Sequence, residues 1–98
     1  GHYASVFYSH IAALGLRVTV EDASNTGKVD MAVDFNGQIY LFEFKVVEQV
    51  SEGAALAQLK RKAYADKYRA SGKPIHLIGV EFSRQQRQIV AFERELVE

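Results

Sequence analysis

The most constraining feature of the sequence is an Asn36-Gly37 pair between two runs of residues that favour β-strands. Val29 to Phe35 alternates apolar and polar side chains, and Ile39 to Val47 is rich in β-branched and aromatic residues. Asn-Gly between such runs is the strongest short-range indication of a two-residue hairpin turn, because both turn residues must adopt positive φ. The sequence therefore predicts two paired antiparallel strands near the middle of the chain.

The length of this turn also predicts which residues face each other across the hairpin. If Phe35 faces Gln38, then Asp30 lies directly opposite Glu43, and Lys45 lies two residues further along on the same face as Glu43. The other face is predicted to form the core, with residues Val29, Met31, Val33 and Phe35 packed against Tyr40, Phe42, Phe44 and Val46.

Helices and further strands are predicted on either side of the hairpin. Apolar spacing predicts a helix from Tyr3 to Leu14, and alternation predicts a strand from Leu16 to Val20, followed by a loop over Ser24–Gly27. Ser51 is the predicted N-cap of a second helix that runs to about Ala70 and stops before Gly72-Lys73-Pro74. The near-continuous apolar run Ile75–Phe82 predicts a strand buried on both faces. Arg87–Val97 predicts an edge strand, with a terminal helix as the alternative.

These elements predict a single α/β domain over residues 1–98, in the order α-β-β-β-α-β followed by an additional C-terminal strand. Because the chain contains no cysteine, disulfides, thiolate metal sites and cysteine nucleophiles are excluded, and a cytoplasmic location is expected. No apolar run approaches the roughly 20 residues of a membrane span. Gly1-His2 resembles a cloning remnant, so the chain is expected to be a fragment of a longer protein.

The net charge of zero counts mildly against a nucleic-acid binder, but the charges are unevenly distributed. Residues 20–48 contain six acids and two bases, whereas residues 51–74 contain six bases and two acids. An acidic centre beside a basic helix suits a metal site next to a phosphate-binding surface. A solvated helix beside an acidic hairpin explains the charges equally well.

Two carboxylates directly opposite each other on a hairpin have Cβ atoms about 4.5–5.5 Å apart and repel each other. Either one of them holds a raised pKa or a cation lies between them. Carboxylate oxygens with a backbone carbonyl and water are ligands that Mg²⁺ prefers. Lys45 could then orient an attacking water or a phosphoryl oxygen. The alternative is an ordinary ion pair between Glu43 and Lys45 on a solvent-facing strand.

The stretch Gly27-Lys28-Val29-Asp30, followed by Glu43-Phe44-Lys45, resembles the PD-(D/E)XK nuclease superfamily. More narrowly, NTGKVDMAV, GQIYLFEFKV, ALAQLKRKAYADKY and GKPIHLIGVEFS are similar to the nuclease-like C-terminal domain of bacterial AAA-ATPase-like proteins. The resemblance covers nearly the whole chain. It implies a restriction-endonuclease-like α-β-β-β-α-β core and Mg²⁺- or Mn²⁺-dependent cleavage of nucleic acid. Asp30, Glu43 and the Phe44 carbonyl would be metal ligands, and Lys45 would be the catalytic lysine.

The sequence departs from the superfamily pattern at two places. Val29 stands where the signature has a proline, and no acid occurs between Gly1 and Arg17, where many members carry another acidic residue. Gln58 matches a glutamine found near the active site of many relatives, but Lys62 stands where a tyrosine often follows. Gln58, Glu21 and Lys62 are therefore candidates for residues that surround the metal site or contact the substrate.

The predicted function is hydrolysis of nucleic acid, with DNA favoured over RNA, by a domain attached to an upstream ATPase-like region. One alternative is a non-catalytic domain of the same fold that recognises a partner or nucleic acid. A second alternative is a structural domain that forms a homodimer through its final strand. No membrane partner is expected.

Overall fold

The computed structural model describes residues 2–20, 29–62 and 68–97, with two helices and five strands in those ranges. Helix α1 (His2–Ala13) is followed by strands β1 (Arg17–Val20), β2 (Met31–Phe35) and β3 (Gln38–Val47), helix α2 (Ala54–Arg61), and strands β4 (Ile75–Ser83) and β5 (Gln88–Val97). The predicted Ser24–Gly27 loop lies outside the described residues. None of the helices in the described ranges is long and apolar enough to cross a bilayer.

The strands form one mixed sheet in the order β1-β2-β3-β4-β5. Strands β3 and β4 are parallel and are linked through α2, whereas the other three neighbouring pairs are antiparallel. The prediction of a mixed α/β fold is confirmed. The C-terminal segment is a strand at the edge of the sheet and not a helix, because it continues directly from β4 through a tight turn and pairs along its length.

The register predicted for the hairpin is confirmed along β2, from Phe35 opposite Gln38 to Met31 opposite Phe42. Both turn residues have positive φ, 52° at Asn36 and 76° at Gly37, as the two-residue turn requires. The ladder ends one residue before the predicted Asp30–Glu43 pair. Asp30 is a bend whose N–H donates to the Phe42 carbonyl at 3.1 Å, so the chain leaves the regular register at this residue.

The core lies on both faces of the sheet, and the prediction of a single core face is wrong in part. Helix α1 covers one face through a cluster around Met31, Val33 and Phe42. Helix α2 covers the other face through a cluster that includes Leu41, Leu59 and Leu77. Val29 was predicted on the α1 side but joins the α2 cluster, because the bend at Asp30 breaks the alternation of the strand. Phe35 and Val46, also predicted in the core, are exposed.

Helix α2 is shorter than predicted at both ends. It begins at Ala54, and Gly53 at the N-cap has a left-handed backbone with φ of 68°, so the prediction of Ser51 as N-cap is wrong. It ends at Arg61, because Lys62 is already extended with ψ of 145°. Residues 63–67 lie outside the described part, and Tyr68 and Arg69 are helical again. The helix contacts β4 at Gly79, where an added Cβ would lie 2.4 Å from the Leu56 nitrogen.

His76 is buried in β4, and both of its ring nitrogens have partners. The ring stacks on Tyr40 with a centroid distance of 4.6 Å, Nδ1 accepts from Arg94 at 2.9 Å, and Nε2 donates to the Gln38 side chain. Burial, together with the nearby Arg94 charge, lowers the pKa of His76 from the usual value of 6.5.

This lowered pKa predicts that His76 makes the fold less stable in acid. The unfolded chain takes up the proton first, so the free energy of unfolding should fall as the pH drops below about 6.5. Denaturant unfolding from about pH 8 to about pH 5 would measure this, with His76→Gln as the control that cannot titrate. Equal pH dependence in the two proteins would contradict the prediction.

Candidate active site

The residues singled out by the sequence converge at one end of the sheet. Asp30 immediately precedes β2, and Glu43 and Lys45 lie in the C-terminal half of β3. Because β2 and β3 are antiparallel, the start of β2 and the end of β3 meet at the same end. The chain then passes directly from β3 into the loop before α2. We call this end of the sheet, with Asp30, Glu43 and Lys45, the site end.

The Asp30 side chain is fixed by the backbone of β3. Its Oδ2 atom accepts a hydrogen bond from the Phe44 N–H at 2.9 Å. This N–H is therefore bound by a side chain and not by a backbone carbonyl of the neighbouring strand. The N–H and C=O groups of a strand residue point toward the same neighbouring strand. The Phe44 carbonyl therefore lies on the Asp30 side of β3, where the regular pairing has ended.

Glu43 is the most constrained group of the site, because its side chain is only 2% exposed. Both of its oxygens contact the Lys62 ammonium, at 3.0 Å for Oε1 and 2.8 Å for Oε2. Burial raises the pKa of Glu43, and the Asp30 charge raises it further, against the hydrogen bond from Lys62 and the charges of Lys62 and Lys45. Asp30, Lys45 and Lys62 are therefore the charged groups that act on the Glu43 carboxyl.

Lys45 is half-buried in β3. Among the described residues it forms no hydrogen bond or ion pair, although its charge acts on Glu43. A lysine ammonium that has no partner in the protein can contact an anionic substrate. Lys62 differs from Lys45 in this respect, because its ammonium is already bound to Glu43.

The donor atoms at the site end suit a hard divalent cation. The Asp30 and Glu43 carboxylates and the Phe44 carbonyl offer oxygen ligands, and a buried carboxylate with a raised pKa gains from a cation in its vicinity. The described residues contain no group of three or more acidic, histidine or cysteine side chains placed to hold a metal. A divalent metal at this end of the sheet therefore stays a prediction.

The remaining candidates are only partly placed. Gln58 is a half-buried residue of α2, four residues before Lys62 along the chain. Its role stays a prediction. Glu21 lies outside the described residues, as does Lys67, one of the six bases in residues 51–74.

Three of the six bases in residues 51–74 form ion pairs with acids of the protein. Lys60 pairs with Glu95 at 3.1 Å, Lys62 with Glu43, and Lys73 with Asp34 at 2.8 Å. Lys62 was expected near the metal site or the substrate, and the structure places it directly on the candidate ligand Glu43.

Glu81 is a structural residue of the site that the sequence analysis missed. It is fully buried in β4, directly beside Lys45 in the parallel register. Its Oε1 atom accepts from the Glu52 N–H at 2.7 Å and its Oε2 atom from the Ala55 N–H at 3.3 Å. The sequence did contain an indication of this role. Glu81 is an acid within a strand predicted to be buried on both faces, and a buried charge needs partners.

The chain is similar to known proteins both at the level of a family model and at the level of a curated sequence. The family model of the PD-(D/E)XK nuclease superfamily matches residues 1–92. Over 92 residues, the chain is 67% identical to the "uncharacterized protein in vnfD 5′ region" of Azotobacter chroococcum mcd 1. The match covers 94% of this chain and 18% of that protein, so the chain spans about a fifth of the length of the curated relative. No solved structure is significantly similar to the chain.

Proposed function

The chain belongs to the PD-(D/E)XK nuclease superfamily, and we propose that it hydrolyses phosphodiester bonds of nucleic acid, DNA in preference to RNA, at the site end of the sheet. The observation that supports this most strongly is the buried Glu43 carboxylate, whose pKa is raised by burial and by the charge of Asp30. A fold gains no stability from two repelling carboxylates in one place. Their presence beside an unpaired lysine favours a catalytic site over an ordinary ion pair.

Asp30, Glu43 and the Phe44 carbonyl are the proposed ligands of one Mg²⁺ or Mn²⁺ ion. When bound, such an ion polarises a phosphoryl oxygen and lowers the pKa of a coordinated water. The hydrogen bond from the Phe44 N–H holds the Asp30 carboxylate in one orientation. Lys62 neutralises Glu43 until the site is loaded, and its ammonium must release at least one Glu43 oxygen for the carboxylate to become a ligand.

Lys45 is the proposed catalytic lysine. Its uncommitted ammonium stands beside the carboxylates, where it can hold a phosphoryl oxygen or orient the attacking water. Glu43 binds the metal and is not the general base in this proposal, because its oxygens face cations. Gln58 and Lys62 are proposed to surround the site, and Glu21, which lies outside the described residues, stays a candidate for the same role.

Metal binding is tested by calorimetric titration with Mn²⁺. We expect Asp30→Asn to weaken Mn²⁺ binding by at least about 10-fold, since it removes a ligand charge but keeps an oxygen for the Phe44 N–H. Asp34→Asn is the matched control, because Asp34 lies on the same strand but pairs with Lys73 away from the site. Equal binding by the two variants, or no binding by the wild type, would contradict the proposed site.

A second candidate function is a non-catalytic module of the same fold that recognises nucleic acid or a partner. The double contact of Lys62 with Glu43 favours it, since that lysine occupies the place of a cation. The much greater length of the relative agrees with attachment to a longer protein, such as one with an upstream ATPase-like region. Binding of nucleic acid without cleavage in Mg²⁺ or Mn²⁺ would favour this module. A dimer formed through the β5 edge would instead be detected by sedimentation.

A further inference from the structure

The turn between β4 and β5 is a second polar feature at the site end of the sheet. We define the β4–β5 turn as Arg84, Gln85, Gln86 and Arg87, all of which are exposed. Because β4 is parallel to β3, its C-terminal end lies at the same end of the sheet as Lys45. Lys45 pairs with Glu81, and Arg84 follows three residues later. At about 3.3 Å per residue, the turn begins about 10 Å beyond Lys45 along the sheet.

Hydrogen bonds hold this turn against the loop that leads from β3 to α2. The N–H groups of Arg84 and Gln85 donate to the carbonyls of Val47 and Glu48, at 2.8 and 3.0 Å. The Gln49 side chain donates to Gln85 at 2.8 Å, and the Gln86 side chain donates to the Gln49 carbonyl at 2.9 Å. The turn is therefore a fixed projection of the sheet, tied to the segment that carries Lys45.

Arg87 occupies a backbone position that an arginine rarely adopts. Its φ is 55°, in the left-handed region where glycine is favoured because it has no Cβ. Within the described part of the chain, the Arg87 side chain makes no hydrogen bond or ion pair that would compensate for this conformation. A strained residue without a structural partner is a reason to look for a binding role.

The charge of the turn is positive and available to a ligand. It carries two arginines and no acid, and the nearest acid, Glu48, contacts Arg84 at 3.5 Å. Both partners of that pair are about 70% exposed, so the contact is screened by solvent and weak. Arginine is the side chain that forms paired hydrogen bonds with the edge of guanine, whereas the two glutamines of the turn are bonded within the protein.

We propose that the β4–β5 turn enters the major groove of double-stranded DNA next to the bond that is cut. The proposal rests on the proposed nuclease function and names its substrate as a duplex. The major groove of B-DNA, about 12 Å wide, admits a two-stranded β-ribbon, whereas the major groove of duplex RNA is too narrow for side chains to read. The separation of about 10 Å from Lys45 corresponds to roughly three base pairs.

Arg87→Gly is the test variant, since stability and binding should change in opposite directions. Glycine relieves the positive φ, so the melting temperature should stay the same or rise. Binding of a fluorescent duplex of about 20 base pairs, measured by anisotropy in EDTA to prevent cleavage, should weaken by at least roughly 5-fold. Lys73→Ala is the control, because Lys73 precedes β4 at the opposite end of the sheet and also carries one positive charge.

Each outcome of this experiment decides between the two proposals. Weaker binding by Arg87→Gly with unchanged or higher stability, and normal binding by Lys73→Ala, supports the turn as a DNA contact. Unchanged binding by Arg87→Gly overturns it. Wild-type protein that cuts single strands but does not bind duplex DNA also overturns it, while the nuclease function stands. Wild-type protein that neither binds nor cuts any nucleic acid removes the nuclease function, and the turn contact with it.

Discussion

Replacing Glu81 with alanine is expected to lower the free energy of unfolding by about 3 kcal/mol, which is a large effect for a single substitution. The carboxylate is completely buried and accepts the N–H groups of Glu52 and Ala55 at the start of α2. Removing it leaves at least two donors without a partner in the interior, each of which costs about 1–3 kcal/mol. Chemical denaturation of the variant and the wild type measures the difference.

The contribution of Glu81 should also depend on pH. Burial alone would raise its pKa, but the N–H groups of Glu52, Ala55 and Ala54 and the Ser51 hydroxyl outweigh burial and lower it from the usual 4.5. A lowered carboxyl pKa gives stability that is complete above about pH 4.5 and is lost as the pH falls through the folded-state value. Glu81→Gln should therefore lose less stability in acid than the wild type does.

The control for this prediction is Glu93→Ala. Glu93 is an exposed residue of the neighbouring strand β5, so its replacement should change stability by less than about 0.5 kcal/mol. Two results would show that Glu81 does not hold the start of α2. One is equal stability of the Glu81 and Glu93 variants, and the other is equal acid sensitivity of Glu81→Gln and the wild type.

The sequence predicted the hairpin well because a hairpin is a local structure. Asn36 and Gly37 determine the turn, and the turn determines the register from Phe35 to Met31. The order of helices and strands followed in the same way from local periodicity and breakers. The structure brings Asp30, Glu43 and Lys45 to one end of the sheet, but the ladder ends before the predicted Asp30–Glu43 pair, and the roles of the three residues stay a prediction.

The features that the sequence did not predict depend on contacts between distant segments. The first N–H groups around the start of α2 are bound by Glu81, which is 26 residues from Ala55 along the chain, and Ser51 is not the N-cap. The end of α2 coincides with the contact between Lys62 and Glu43, which are 19 residues apart. At Asp30 the strand bends, and the Asp30 side chain accepts the hydrogen bond from the Phe44 N–H. Val29 therefore lies on the other face of the sheet. An alternating pattern of apolar and polar residues does not predict such a side-chain contact.

Replacing Lys45 with alanine is expected to lower the rate of nucleic-acid cleavage by roughly 10²–10³-fold, the usual cost of removing one charge-stabilising group from an active site. Mn²⁺ affinity should change little, because Lys45 acts on Glu43 only through its charge and is not a proposed ligand. Loss of the Lys45 charge should leave the affinity for the cation unchanged or raise it slightly. A loss of cleavage with retained metal binding would therefore separate catalysis from site assembly.

Lys60→Ala is the matched control for this prediction, because Lys60 lies on α2 but its exposed ammonium pairs with Glu95 outside the site. It should retain nearly all of the wild-type cleavage rate at saturating metal and substrate. Cleavage by Lys45→Ala within about 3-fold of the wild-type rate would remove Lys45 from the mechanism. Since Lys62 is the other lysine whose charge acts on Glu43, Lys62→Ala should then be measured. A large loss in that variant alone would assign the catalytic ammonium to α2 and leave Lys45 as a residue that tunes the charge of Glu43.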